Sequence, residues 1–235
     1  MKPPLICVST YGESSKTLIE RISKAIKAGA DLVEARLDYL RELEAEKLVR
    51  QLAPFSSKLV ITLRPASQGG RFNGPDDERL AVLSRLSSIN PALVDLELET
   101  CERFRLKLGR NMIVSWHSFT DTPDMKVLSE IAMRCLGLGD YAKVVTYANS
   151  HSDILRILHL YSELPRNRLI AFCMGEVGRV SRILAMAAGS PIAYASLDGR
   201  GTAPGQMTLQ EMKSYKERLV RSVSTIYGGA LLPDR

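Results

Sequence analysis

No stretch of this 235-residue chain stays apolar and uncharged long enough to cross a bilayer as a helix, which takes about 20 such residues. The N-terminal "MKPPLICVSTYGESS" has a single early Lys and a very short apolar run, too short for a signal-peptide core. The expectation is a protein that begins here and stays in the cytoplasm, with no membrane partner. Cysteine is sparse: Cys7, Cys101, Cys135 and Cys173 lie far apart, and no pair has CxxC spacing. Reduced structural thiols fit that pattern; a metal site, which needs clustered ligands, does not. Aromatic residues make up only 6%, and the net charge of +6 is spread over Lys and Arg interleaved with Asp and Glu, without a basic block. A nucleic-acid partner is therefore not expected. A small anionic ligand drawn to a positive cleft fits the charge better. There is also no GxGxxG and no P-loop.

What is present is ordinary globular material, 45% hydrophobic and 25% charged. Short apolar runs alternate with amphipathic stretches. The runs predict eight strands, at 5–9, 32–38, 58–64, 93–98, 112–119, 142–147, 168–174 and 191–196. Between them lie helical patterns. Leu18, Ile22, Ala25 and Ile26 share one face before Gly29; Val127, Leu128, Ile131, Ala132 and Cys135 share another before Gly137 and Gly139. The last helix opens on "TLQE", where Thr208 and Glu211 make a capping box, and its face holds Leu209, Met212, Tyr215 or Lys216, and Leu219. Strands joined by helices must pair in parallel, because each crossover returns the chain to the same end of the sheet. Eight such units without a composition break predict a single-domain (β/α)8 TIM barrel over residues 1–235. An open doubly wound sheet is the alternative; it usually carries a Gly-rich turn after its first strand, where this chain has "TYGESS".

In such a barrel the chemistry belongs at the C-terminal ends of the strands. Arg64 ends the third predicted strand, His117 and Ser118 lie near the end of the fifth, and "SLDGRGTAPGQ" follows the eighth. Glu34, Arg36 and Asp38 alternate in "VEARLD", so they face one side of a strand. They form either a structural ion pair or a polar floor for a hydroxylated ligand. Lys143 interrupts an apolar run between Ala142 and Val144. It is either a nucleophile whose neutral amine forms an imine, or a lysine whose stem packs while its head reaches water. His117 is one of three histidines and lies on the strand next to that of Lys143, so both can face one cavity. An imine-forming lysine beside a general base is a recipe for removing a proton alpha to a carbonyl. His151 and His159 fall on the helix after the sixth strand and read as surface or packing residues. The Gly-rich segments 64–78 and 198–206 read either as flexible connections or as lids over the barrel mouth.

Six motifs in order along the whole chain, "EARLD", "TLRPASQGG", "SWHSF", "AKVV", "MGEVGRVSRI" and "TAPGQ", resemble the type I 3-dehydroquinate dehydratases of the shikimate pathway. The resemblance implies a (β/α)8 barrel, no metal and no cofactor. By its pattern Lys143 matches the imine-forming lysine and His117 the general acid/base, acting on 3-dehydroquinate to give 3-dehydroshikimate and water. Arg182 matches the arginine that holds the substrate carboxylate. Glu34, Arg36 and Arg64 match residues around the ring hydroxyls, Thr202 and Gln206 match polar contacts from the last loop, and Ser9 matches a contact from the first strand. The chain departs from the pattern at Gln68, where many members have glutamate, and at Thr202, which keeps the hydroxyl of the commoner serine. The family often forms homodimers, and the apolar helix at 153–164 is a candidate contact. Two other readings stay open on the residues alone. A class I aldolase would share the barrel and the imine but usually needs a phosphate site in the seventh and eighth loops. A non-catalytic barrel would bind a carboxylate metabolite without covalent chemistry.

Overall fold

The computed structural model describes residues 3–105, 111–199 and 201–226, with side chains described as far as residue 222. Strands and helices alternate: β1 (Leu5–Tyr11), α1 (Ser15–Lys27), β2 (Leu32–Arg36), α2 (Ala45–Leu52), β3 (Leu59–Thr62), α3 (Asp76–Ser87), β4 (Leu93–Glu97), α4 (Leu98–Phe104) and β5 (Met112–His117). Then come α5 (Met125–Leu138), β6 (Tyr141–Tyr147), α6 (His151–Glu163), β7 (Leu169–Met174), α7 (Gly175–Gly178), α8 (Ser181–Ala188), β8 (Ile192–Ser196) and α9 (Leu209–Ile226). The sheet order is β7-β6-β5-β4-β3-β2-β1-β8, every recorded pairing is parallel, and the sheet curls into a nearly closed (β/α)8 barrel.

The strands are short apolar runs because both of their faces are covered, one by the helices and one by the barrel interior. Outward residues such as Val8, Val33, Ala35 and Ile61 pack beneath the helices and are fully buried. The helical stripes do the covering: Leu18, Ile22 and Ala25 of α1, and Leu128, Ile131, Ala132 and Cys135 of α5, are buried. Val127 is not part of the buried α5 stripe; it is exposed. The capping box at α9 forms, with the Glu211 carboxylate accepting from the Thr208 amide at 2.8 Å and the Glu211 amide donating to the Thr208 hydroxyl at 3.2 Å. On that helix Tyr215 packs on the core, while Lys216 reaches Asp31 at 3.0 Å.

The eight predicted strands are all present, with different ends. β2 stops at Arg36, two residues before its predicted limit, because Asp38 turns back in a single 3-10 turn to take both Nε and Nη2 of Arg36 at 2.8 Å. β3 stops at Thr62, so Arg64 lies just beyond the strand rather than on it. His151 and His159 are exposed on α6, and the four cysteines are free and buried.

Candidate active site

Period-two alternation brings one polar residue after another to the barrel interior. Ser9 lies beside Glu34 in the β1–β2 register, and Ser115 beside Lys143 in that of β5–β6. These inward groups bond to each other around the barrel. The Glu34 carboxylate accepts from Ser9 Oγ at 2.6 Å and Thr62 Oγ1 at 3.0 Å. Asp95 of β4 accepts from Ser115 Oγ at 2.6 Å, Arg64 Nη2 at 2.8 Å and Lys143 Nζ at 2.9 Å. Burial alone would raise the Asp95 carboxyl, but the Arg64 and Lys143 cations and the Ser115 hydroxyl hold it well below the usual carboxylate range.

Above this layer, at the mouth of the barrel, opens a polar-lined cavity. His117, Lys143, Ser9, Glu34, Arg36, Arg64, Arg182, Thr202 and Gln206 all line it. The structure thus brings these nine residues together, whereas Asp38, read alongside Glu34 and Arg36, and Ser118, read alongside His117, do not line the cavity.

Lys143 comes up from β6 with its side chain only 6% exposed. Its sequence neighbours are aliphatic, but its spatial neighbours are not. Nζ lies 2.9 Å from Asp95, 3.8 Å from Glu34, and 4.1 Å from the centre of the Tyr194 ring. Of these, Asp95 and Tyr194 are not singled out by the sequence reading.

His117 ends β5, and its side chain shares the inward side with Ser115, two residues earlier. Its ring stacks on Phe119 with centroids 5.9 Å apart, and its Nδ1 is covered and has no hydrogen-bond partner in the protein. Burial first, then the Arg64 and Lys143 cations, push the imidazolium well below its ordinary value, against the pull of Asp95. The ring is therefore neutral near pH 7 and ready to accept a proton.

Arg182, from the first turn of α8, is 4% exposed. Among the described residues no carboxylate pairs with it. Nη2 reaches only the Pro204 carbonyl at 3.4 Å, the guanidinium lies 4.3 Å from the Phe172 ring centre, and Nε is unbonded. Burial without a counter-ion draws its pKa down to about 10. A buried, uncompensated guanidinium facing a cavity is a seat for an anion. Arg36 and Arg64 differ, since both are already paired, to Asp38 and to Asp95 and Glu97 respectively. The Arg36–Asp38 pair therefore serves as structure and cavity wall at once.

Two loops roof the cavity. Residues 65–72 fold into a closed turn, in which the Ala66 amide donates to the Phe72 carbonyl at 2.9 Å and the Gly70 amide to that of Pro65 at 3.0 Å. Asp38 anchors this turn by accepting from the Arg71 amide at 3.1 Å. Gly69 sits in the left-handed region at φ +72°, where an added Cβ would fall 2.4 Å from Phe119. Gln68 and Gly69 reach the cavity, so this hydrogen-bonded turn forms part of its roof. In the second loop Gln206 accepts from the Thr202 amide at 2.9 Å and donates to Ser9 Oγ at 3.5 Å. Arg200, within the 198–206 segment, lies outside the described residues.

A model of the type I 3-dehydroquinase family matches residues 6–218. The 3-dehydroquinate dehydratase of Methanopyrus kandleri is 37% identical over 220 residues, covering 92% of this chain and 100% of its own. That of Pyrococcus abyssi is 37% identical over 215 residues, 89% of this chain and 95% of its own. Among solved structures, the 3-dehydroquinate dehydratase of Aquifex aeolicus aligns at a TM-score of 0.76 and 27% identity, covering 92% of this chain and 99% of that one. The Geobacillus kaustophilus structure aligns at 0.84 and 23%, over 97% and 93%, a likeness of fold.

Proposed function

The chain belongs to the type I 3-dehydroquinase family, and from that premise we propose that it dehydrates 3-dehydroquinate in the shikimate pathway through an imine on Lys143, with His117 moving the protons. One observation carries the reading: an amine and an imidazole from adjacent strands open on the same cavity as an unpaired arginine.

The carboxylate of the substrate sits on Arg182, which directs the ring toward Lys143. The neutral His117 takes the proton that the Lys143 ammonium must shed, and Nζ attacks the C3 ketone. The imidazolium returns that proton to the carbinolamine hydroxyl, which leaves as water, and a C=N bond forms. The iminium then acts as electron sink. His117 removes a C2 proton, the electron pair moves into the ring as an enamine, and the C1–O bond breaks with the same proton returned to the departing hydroxyl. Hydrolysis of the imine consumes one water, restores the lysine and releases 3-dehydroshikimate, so the net loss is one water. Glu34 and the Gln206–Ser9 pair supply acceptors and donors for the ring hydroxyls. The roof of residues 65–72 brings Gln68 and Gly69 over the cavity and limits the access of water to the imine.

The same reading has the enzyme working in the cytoplasm, as its four unpaired, buried thiols suit a reducing compartment. It also has the enzyme working as a homodimer, with the exposed Leu155 on α6, Val180 just before α8 and Leu184 on α8 as the candidate contact. No described helix is long and apolar enough to cross a membrane. Borohydride added with 3-dehydroquinate tests the mechanism. The peptide carrying Lys143 gains a ligand-sized mass, and enone absorbance appears without borohydride. A protein that forms product while Lys143 stays unmodified refutes the imine.

A further inference from the structure

Arg79 is the largest side chain in the described protein that is wholly shut off from solvent. It does not line the cavity. It stands on the first turn of α3, four residues after Pro75, which precedes that helix. All five of its N–H donors are used. Nε and Nη2 donate to Asp76 Oδ1 at 3.0 and 2.8 Å, and Nη2 also to Thr100 Oγ1 at 2.7 Å. Nη1 donates to the Leu63 carbonyl at 3.1 Å and to Glu97 Oε2 at 2.6 Å.

That last contact starts a continuous line of alternating charge. The other Glu97 oxygen accepts from Arg64 Nη1 at 2.7 Å, Arg64 Nη2 donates to Asp95 at 2.8 Å, and the second Asp95 oxygen holds Lys143 Nζ at 2.9 Å. Every member from Arg79 to Lys143 is buried. Buried ions of this kind are costly unless paired, and the loss of one leaves its partner exposed to an uncompensated field. The line also fixes geometry. Arg64 lies beyond the end of β3, and its position comes from Glu97, Asp95 and Ser115.

We propose that Arg79 is a positioning residue for the reaction: by clamping Glu97 it holds Arg64 against Asp95, and so sets the placement and electric field of the groups around Lys143 and His117. The proposal rests on the reading of Lys143 and His117 as the reacting pair. His117 is faced by Arg36 from β2, Arg64 from the end of β3, Asp95 from β4 and Lys143 from β6. Glu34, Arg182 and Tyr194 line the same cavity, and Gln68 faces it from the roof. Without the Arg79 charge, Glu97 acts on Arg64 alone and draws it outward. The field at His117 then becomes less positive, and the ring takes up a proton more readily.

The test is the titration of the His117 ring in ligand-free protein, followed by NMR. The chain has three histidines, so the signal is assigned by its loss in His117→Asn. Arg79→Met raises the His117 titration by roughly half a pH unit or more. Adding Glu97→Gln to that variant removes the unbalanced charge and returns the titration toward the parent, while Arg79→Lys leaves it near the parent. In turnover, Arg79→Met lowers kcat by roughly tenfold or more with KM changed less, since Arg79 itself does not line the cavity. Thermal unfolding confirms that each variant is folded. Should the methionine variant not fold, Arg79→Gln carries the same expectation. A folded charge-removing variant with an unmoved His117 titration overturns the proposal, as does a double variant that moves further from the parent. The titration needs no substrate, so it decides the charge link even if borohydride trapping fails and the imine reading falls.

Discussion

Replacing Arg182 by methionine separates stability from function, because this cation is buried with nothing to balance it. Burial draws its guanidinium from its ordinary value down to about 10. At about 1.4 kcal/mol per pH unit, that difference corresponds to roughly 3 kcal/mol of desolvation that no partner in the ligand-free protein offsets. Methionine keeps most of the stem volume and its contact with Phe172. It loses a cation–π contact worth about 1–2 kcal/mol and a weak bond to Pro204. The net expectation is that ligand-free Arg182→Met is more stable than the parent by about 1–2 kcal/mol, a rise in Tm of roughly 2–8 °C for a chain of this length. Binding moves the other way. Loss of the carboxylate's partner costs about 2–5 kcal/mol, so KM for 3-dehydroquinate rises by roughly 30-fold or more. Calorimetry without ligand and steady-state kinetics measure the two halves. A variant that is less stable than the parent and binds substrate equally well refutes the argument, since the arginine would then be a structural member.

Lys143→Met traps no substrate and turns over none, yet stays folded, because Asp95 keeps Arg64 and Ser115; mass spectrometry after borohydride and circular dichroism check the two statements. Acid titration reads His117. Its unfolded pKa lies near 6.5 and its folded value well below, so the unfolded chain binds a proton that the folded chain resists. Stability therefore falls as pH drops below 6.5, by at most about 1.4 kcal/mol per pH unit from this group, and urea titrations of His117→Asn show a flatter decline over that window. Gly70→Ala would place a Cβ 2.1 Å from the Arg64 carbonyl oxygen, which cannot yield without moving the roof. Amide exchange at 65–72 should accelerate and kcat/KM should fall by roughly tenfold; unchanged protection would mean that the turn absorbs the methyl group.

The barrel is legible in the sequence because its strands are buried on both faces and so appear as uninterrupted apolar runs, as in "KLVITLR" and "RLIAFCM". Their ends are less legible, since side-chain contacts across the fold decide them; Asp38 ends β2 by turning back onto Arg36. Lys143 and His117 stand out as polar residues in apolar company. The partners of Lys143 do not, because a strand residue's sequence neighbours point to the opposite face. Ala142 and Val144 face the helices, while Asp95 and Glu34 approach from two other strands. The signal for Asp95 and Glu97 is nevertheless present: in "LVDLEL" the acids alternate with leucine as the charges do in "VEAR". Arg79 has no such signal. In "DDERL" it resembles any solvated first helical turn, and only the packing of α3 over Glu97 takes it out of water.

The division of hydrogen bonds around the cavity says where a ligand belongs. Toward the β2–β6 side, Glu34, Asp95, Ser115, Arg64 and Lys143 answer each other's charges and donors. Elsewhere on the wall the groups are left open. Among the described residues six buried side-chain polar atoms lack a hydrogen-bond partner in the protein, and four of them line this cavity: Gln68 Oε1, His117 Nδ1, Arg182 Nε and Tyr194 Oη. An unanswered buried polar group costs about 1–3 kcal/mol, so a fold does not gather four of them at random. Together they ask for a ligand with an anionic group for Arg182, a donor for Gln68 and a proton-bearing atom near His117. The satisfied side holds Lys143 still, while the unsatisfied side is left open to a ligand. A polyhydroxylated cyclic carboxylate meets all of these demands at once, whereas an apolar ligand meets none and a cationic one leaves Arg182 without its counter-ion.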